Sequence, residues 1–188
     1  MGDGNMTKDN QKDAKYKRLV VPGRFQPPHR GHLHVIEFAL DRAEEVIIVI
    51  GSAQDSHSLK NPLTAGERWM LLDKLLKRRL GEEYCKRIKI VPVPDINMNK
   101  VWVQYLRLLL PDFDGVVTRN PLVSMLFEDT GLAVIRQPLI NRDMCSGTKI
   151  RNKIVRGEDW TECVPEEILE DLKKLGFEER IKRLMEDG

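Results

Sequence analysis

The sequence predicts an α/β protein: a Rossmann-like, doubly wound parallel sheet of about five strands, with helices on both faces and a helical segment at the C-terminal end. Three observations predict it. Short apolar runs alternate with stretches of helical periodicity, the pattern of a parallel sheet crossed over by helices. The run Glu45 to Ile50 is nearly all apolar, as a strand buried on both faces requires. After Ser146, helical patterns follow one another with no strand between them.

The elements follow in order. Residues 1–17 are polar and aperiodic and read as a disordered tail, leaving 18–188 as a single domain. Leu19 to Gly23 is the first strand. His32 to Arg42 is a helix burying Leu33, Ile36, Phe38, Ala39 and Leu40. Glu45 to Ile50 is the second strand. Thr64 and Glu67 form a capping-box pattern, and the helix they open buries Trp69, Leu72, Leu75, Leu76 and Leu80. Lys89 to Val93 is the third strand. Val101 to Leu110 is a helix with the stripe Trp102, Tyr105, Leu106 and Leu109. Gly115 to Thr118 is the fourth strand, Leu122 to Phe127 a short helix, and Ala133 to Arg136 the fifth strand. Of the three C-terminal helices, one starts at Pro165-Glu166-Glu167 and ends at Lys173-Lys174-Leu175-Gly176, with acids first and bases last, as the helix dipole favours. The last buries Phe177, Ile181, Leu184 and Met185.

Composition narrows the function. The 188 residues suffice for one domain with a substantial core. A net charge of +2 gives no argument for a nucleic-acid partner. No run of 18 apolar residues suggests a membrane helix, and the N-terminus lacks the apolar core of a signal peptide. Cys85, Cys145 and Cys163 fit neither a disulfide framework nor a zinc pattern, so they read as inert thiols in a reducing cytoplasm.

The chemistry concentrates in Gly23 to His32, GRFQPPHRGH, at a strand-to-helix turn where a helix N-terminus already favours anions. Gly23 and Gly31 let the backbone approach a ligand. Pro27 and Pro28 delay the helix. His29 and His32, three apart, share one side of a helix start and can donate N–H to phosphate oxygens. Arg24 adds a planar fork. Late in the chain, Ser146 can cap a helix whose first N–H groups face an anion, with Thr148 and Arg151 beside them.

His29-Arg30-Gly31-His32 resembles the HxGH signature of the nucleotidylyltransferase superfamily. The longer GRFQPPHRGH resembles archaeal-type nicotinamide-mononucleotide (NMN) adenylyltransferases, with Pro27-Pro28 where that group commonly has Pro-Phe. Ser146-Gly147-Thr148-Lys149-Ile150-Arg151 resembles its second signature. Gly51 to Gln54, Ser56 to Ser58, Thr64 to Arg68 and Asn120 to Val123 also resemble the archaeal group, and the likeness spans roughly residues 18–185.

That resemblance implies adenylyl transfer from ATP to NMN, giving NAD and pyrophosphate. It implies His29, His32, Arg24 and Arg151 as catalytic residues. ATP would be bound by these four together with Gly23, Phe25, Gln26, Gly31, Asn120, Ser146, Gly147 and Thr148. NMN would be bound by Gly51, Ser52, His57, Asp95 and Trp102. Read alone, Trp102 suits a core position equally, Asn120 a helix cap and His57 a plain loop. Mg2+ would be held mainly by substrate phosphates, with no protein-built metal site and no tightly bound organic cofactor. The family's archaeal members imply a homo-oligomer, a hexamer. The alternatives are transfer to another acceptor, such as phosphopantetheine or a sugar or choline-like phosphate, or a non-catalytic nucleotide sensor. Nicotinic acid mononucleotide is an equally admissible acceptor.

Overall fold

The computed structural model describes residues 15–138 and 145–186. Its strands are β1 (Tyr16–Gly23), β2 (Ala43–Ile50), β3 (Ile88–Pro92), β4 (Gly115–Val117) and β5 (Ala133–Ile135). Its helices are α1 (Arg30–Leu40), α2 (Ala65–Lys86), α3 (Trp102–Leu109), α4 (Pro121–Glu128), α5 (Gly147–Val155), α6 (Glu166–Lys174) and α7 (Phe177–Glu186). Single 3₁₀ turns, Asn99–Val101 and Thr161–Cys163, precede α3 and α6.

All strand pairs are parallel, in the order β3-β2-β1-β4-β5. Leu19 stands between Val46 on β2 and Gly115 on β4. The chain moves outward from β1 to β3, then returns to the other side of β1 for β4. The ends of β1 and β4 therefore diverge at the topological switch point, where such sheets bind ligands.

Side-chain alternation along the strands sends two sets of residues to two helical layers. Leu19, Val21, Ile48 and Ile50 pack with Leu33 and Ile36 of α1 and Leu72 and Leu76 of α2. Val20, Ile47 and Val49 pack with Val103 and Leu106 of α3 and Leu126 and Phe127 of α4. A third cluster, away from the sheet, joins Leu71 and Leu75 of α2 to Ile150, Ile154, Ile168, Leu172, Phe177 and Ile181 of the C-terminal helices. Helix α2 is thus apolar on two sides and lies between sheet and C-terminal helices.

Several sequence expectations change. Strand β1 starts at Tyr16, whose N–H donates to Arg42 O (3.1 Å), and the N–H groups of Lys17 and Arg18 donate to Asp114 (2.7 and 2.9 Å). Residues 16 and 17 therefore belong to the sheet; the rest of the expected tail, residues 1–14, lies outside the described residues. Helix α1 runs two residues earlier than its apolar pattern suggested, and Phe38 is half-buried under the Arg42 guanidinium, 3.6 Å from the ring centre. Trp69 is 42% exposed, and Arg68 takes the inward position beside it. On α3 the buried residues are Val103 and Leu106, and Leu109 faces out. On α7 they are Phe177 and Ile181; Leu184 is half-buried and Met185 exposed. Each misplacement is a one-residue error of helical phase near a helix end, where apolar residues lie on both sides of the true stripe.

The cysteine reading is also corrected. Cys145 and Cys163 form a disulfide, with Cα atoms 5.2 Å apart and a sequence separation of 18. Helix α5 and the turn Thr161–Cys163 bring the two ends back together, a proximity that sequence spacing hides. The thiol argument for a reducing compartment falls with it. Cys85 is the free cysteine of the described residues, and burial pushes its thiol pKa up. None of the helices among the described residues is long and apolar enough to cross a membrane.

Candidate active site

The site is built where β1 and β2 end side by side, Gly51 N–H donating to Gly23 O at 2.9 Å. The chain leaves β1 through Arg24 and Phe25, the latter in the left-handed region at φ 53° and buried. It then reaches His29, the residue capping α1. The His29 and His32 rings stack with centres 3.6 Å apart, and Phe25 packs 4.4 Å from His32. His29 backbone N–H donates to His32 Nδ1 (3.3 Å). Because Nδ1 accepts, the neutral ring carries its proton on Nε2, which makes Nε2 the ring's donor atom. Gly31 packs tightly here: a Cβ would stand 3.1 Å from the His29 ring and press on it.

The second signature meets the first at Gln26. Ser146 caps α5 by accepting from Lys149 N–H (3.2 Å), as its sequence context predicts. Arg151 Nη1 donates to Gln26 O (2.7 Å), and Nη2 to Thr148 Oγ1 (3.3 Å). A Cβ on Gly147 would stand 2.8 Å from Gln26 O, so glycine allows the two segments to touch. Gln26 itself faces inward. Its side-chain amide exchanges two hydrogen bonds with the Leu63 backbone (2.8 and 2.9 Å), which ties the loop leaving β1 to the segment before α2.

Two guanidiniums face this point. Arg151 is buried, and burial followed by the charge of Arg24 lowers its pKa to about 10. Arg24 Nη1 is buried without a hydrogen-bond partner. Neither is in an ion pair among the described residues. Arg24 as a whole is half-buried. Two guanidiniums partly withdrawn from water with no carboxylate paired to them favour an anion beside them, because burial raises the cost of an unpaired charge. The N-termini of α1 and α5 add their dipoles in the same place.

Two cavities flank it. One, of about 220 Å³, lies at the switch point and is lined by His32, Val117, Thr118, Asn120 and Gln137. Asn120 caps α4, its Oδ1 accepting from Leu122 and Val123 N–H (3.0 and 3.3 Å), so the cap reading holds while the residue also lines the cavity. The other, of about 320 Å³, is lined by Gly51, Asp95, Asn99, Trp102 and Val123. Trp102 also meets Phe127 edge-on at 6.1 Å. Asp95 accepts from Ser52 N–H (3.1 Å) and Gln54 Nε2 (3.4 Å). His57 stands elsewhere. At φ 54° the loop turns it toward α6 and α7, where it shares a cleft with Lys173, Arg180 and Arg183. Among the described residues no three of His, Cys, Asp and Glu come together as a metal cage.

Sequence reasoning gave no role to Arg68, which is fully buried beneath these loops. A signal was present: Arg68, Leu71, Leu72, Leu75 and Leu76 have the spacing of one buried face.

Comparison with known proteins agrees with this geometry. The cytidylyltransferase-like family model matches residues 20–153. A nicotinamide-nucleotide adenylyltransferase of Aeropyrum pernix is 56% identical over 171 residues, 90% of this chain and 98% of that one. One of Pyrococcus furiosus is 45% identical over 168 residues, 89% of each chain. A crystal structure of a bifunctional NMN adenylyltransferase/ADP ribose pyrophosphatase from Francisella tularensis superposes with a TM-score of 0.73 at 23% identity, covering 90% of this chain and 52% of that one, and shares the fold. A family match over most of the chain, and relatives this similar along nearly their whole length, leave one assignment: the chain belongs to the cytidylyltransferase-like family, among its archaeal nicotinamide-nucleotide adenylyltransferases.

Proposed function

We propose that the protein transfers the adenylyl group of ATP to NMN, forming NAD+ and pyrophosphate. The observation that carries this reading is the pair of guanidiniums beside the stacked histidines and the capped end of α5: Arg151, buried, and Arg24, half-buried with its Nη1 enclosed and without a hydrogen-bond partner. A polyphosphate supplies the negative charge that arrangement lacks.

The chemistry needs little beyond placement. An oxygen of the NMN 5′-phosphate attacks the α-phosphorus of ATP, and the bond from that phosphorus to the bridging oxygen of pyrophosphate breaks. The nucleophile is a dianion at neutral pH, so neither a protein nucleophile nor a dedicated base is required. Catalysis is positioning plus stabilisation of charge on the α-phosphoryl oxygens and the leaving group. His32, donating from Nε2, takes the α-phosphate. Arg24, Arg151 and Thr148 take the β- and γ-phosphates. Mg2+ would be held mainly by the phosphates of ATP, where it would supply positive charge beside that of Arg24 and Arg151.

The cavity beside His32 and Asn120 suits the adenosine end. The cavity of Trp102 and Asp95 suits the pyridinium, a cation attracted to an indole face and to a carboxylate. Gly51 and Ser52 close that side. These substrates place the reaction in the cytoplasm. The outward-facing apolar residues Leu108 and Leu109 of α3 and Leu122 and Met125 of α4 support a homo-oligomer, a hexamer by family likeness. Light scattering measures its mass.

The direct test is to mix the protein with ATP, NMN and Mg2+ and follow NAD+ by chromatography, with nicotinic acid mononucleotide and phosphopantetheine as parallel acceptors. NAD+ formation is the expected result. Pyrophosphate release with phosphopantetheine and with neither pyridine nucleotide overturns the acceptor. ATP binding with no pyrophosphate from any acceptor makes the protein a sensor.

A further inference from the structure

Arg68 has no exposed surface. It sits on the face of α2 that otherwise carries Leu71, Leu72, Leu75 and Leu76, where an apolar side chain would satisfy the core. A buried guanidinium is costly to desolvate, and burial lowers its pKa, so its place here depends on the hydrogen bonds it makes.

Its partners explain what it does. Nε donates to Thr64 O (3.1 Å), Nη1 to Arg24 O (3.0 Å) and Gly51 O (2.8 Å), and Nη2 to Ser52 O (3.0 Å). All four acceptors are backbone carbonyls. Arg24 belongs to the loop leaving β1, Gly51 and Ser52 to the loop leaving β2, and Thr64 to the cap of α2. One planar fork therefore fixes three chain segments to one another.

Two of those segments are strained. Phe25, directly after the Arg24 carbonyl, has φ 53°, and Ser52 has φ 49°. Non-glycine residues hold such conformations where the surroundings over-determine them. The first segment carries Arg24 and leads to the two histidines. The second holds Asp95 through Ser52 N–H (3.1 Å) and borders the Trp102 cavity. The fork thus joins the triphosphate half of the site to the acceptor half from below, without touching either cavity.

We propose that Arg68 is a positioning residue for adenylyl transfer: it fixes the separation between the triphosphate loop and the acceptor loop, so that the attacking phosphate and the α-phosphorus meet in line. The role rests on the reading of the site given above. A misplacement of about 1 Å from a change outside the chemistry lowers a rate about 10²-fold, because alignment is the main contribution such a site makes.

Arg68→Lys keeps the charge and loses the fork; Arg68→Met keeps the volume and loses both. Either folded variant carries the test, assayed well below its own melting temperature so that lost stability does not register as lost rate. The expected result is kcat lowered at least about 10²-fold with KM for ATP and for NMN changed less than about five-fold, since each half-site stays intact. Methylguanidinium added to Arg68→Ala restores part of kcat. A folded Lys or Met variant with kcat within five-fold of wild type overturns the proposal, as does a loss confined to KM. Wild-type protein is run in the same assay: if it forms no NAD+, the reading of the site fails, whereas normal wild-type turnover beside a near-normal variant removes Arg68 alone.

Discussion

His32 illustrates how a local contact sets a chemical role. By accepting the His29 N–H on Nδ1, the ring is fixed with Nε2 as its donor, and stacking between Phe25 and His29 holds its plane. One preorganised donor to a developing charge contributes about 10²–10³ in rate. His32→Ala is therefore expected to lower kcat at least about 10²-fold with NMN affinity within a few-fold, measured by steady-state kinetics and NMN titration. At this scale the sequence was legible wherever a residue's chemistry and its chain neighbours sufficed: His29 and His32 share the start of α1 and Ser146 caps α5. It was not legible for Gln26 and Arg68, polar side chains whose partners are backbone atoms dozens of residues away.

Helix α2 shows the same division among elements. Its capping box forms as the sequence predicts, Thr64 N–H donating to Glu67 (2.8 Å) and Glu67 N–H to Thr64 Oγ1 (3.1 Å). What the pattern does not contain is Arg180 of α7, whose guanidinium donates to both Glu67 oxygens (2.8 and 2.9 Å). One carboxylate thus starts α2 and ties it to α7. The hydrogen bond from Arg180 is the main reason the Glu67 carboxyl stays below the ordinary 4.5, with Thr64 helping and burial opposing. A carboxyl with a lowered folded-state pKa contributes stability that is present above its unfolded value and lost as pH falls through the folded one. Glu67→Gln is expected to lower stability by about 1.5–3 kcal/mol at pH 7, as for a hydrogen bond to a charged group. In urea titrations the difference from wild type narrows as pH falls from 4.5 through the lower folded-state value, where Glu67 becomes protonated in the folded protein as well.

On the scale of the molecule, the C-terminal helices do more than extend the domain. They cover the second apolar side of α2, and the Cys145–Cys163 disulfide closes the loop that carries α5. Arg30 Nε donates to Glu162 O (2.9 Å), so the residue before Cys163 also holds the start of α1. Closing a loop of this length stabilises by about 3 kcal/mol through the unfolded chain. Reduction is expected to lower the melting temperature by about 6–12 °C for a chain of this size. Alkylation of the denatured, unreduced protein is expected to modify Cys85 and to spare Cys145 and Cys163, read by mass spectrometry; labelling of all three removes the bridge. Ligand acts in the other direction. Neutralising the Arg24–Arg151 pair, ATP at about 100 times its dissociation constant adds about 2.7 kcal/mol, and a thermal shift that survives Arg151→Met unchanged would separate this pair from the triphosphate.

By itself the sequence determined the order of strands and helices, the parallel sheet, and the two signatures at helix starts, because hydrophobic period, caps and turn residues act over a few positions along the chain. Only the tertiary structure decided that the signatures meet at Gln26, that Cys145 bonds Cys163, and that Arg68 rather than Trp69 turns inward to hold the loops of β1 and β2. Those outcomes depend on which distant backbone groups are left to be satisfied once the sheet has closed, and such groups have no spacing in sequence.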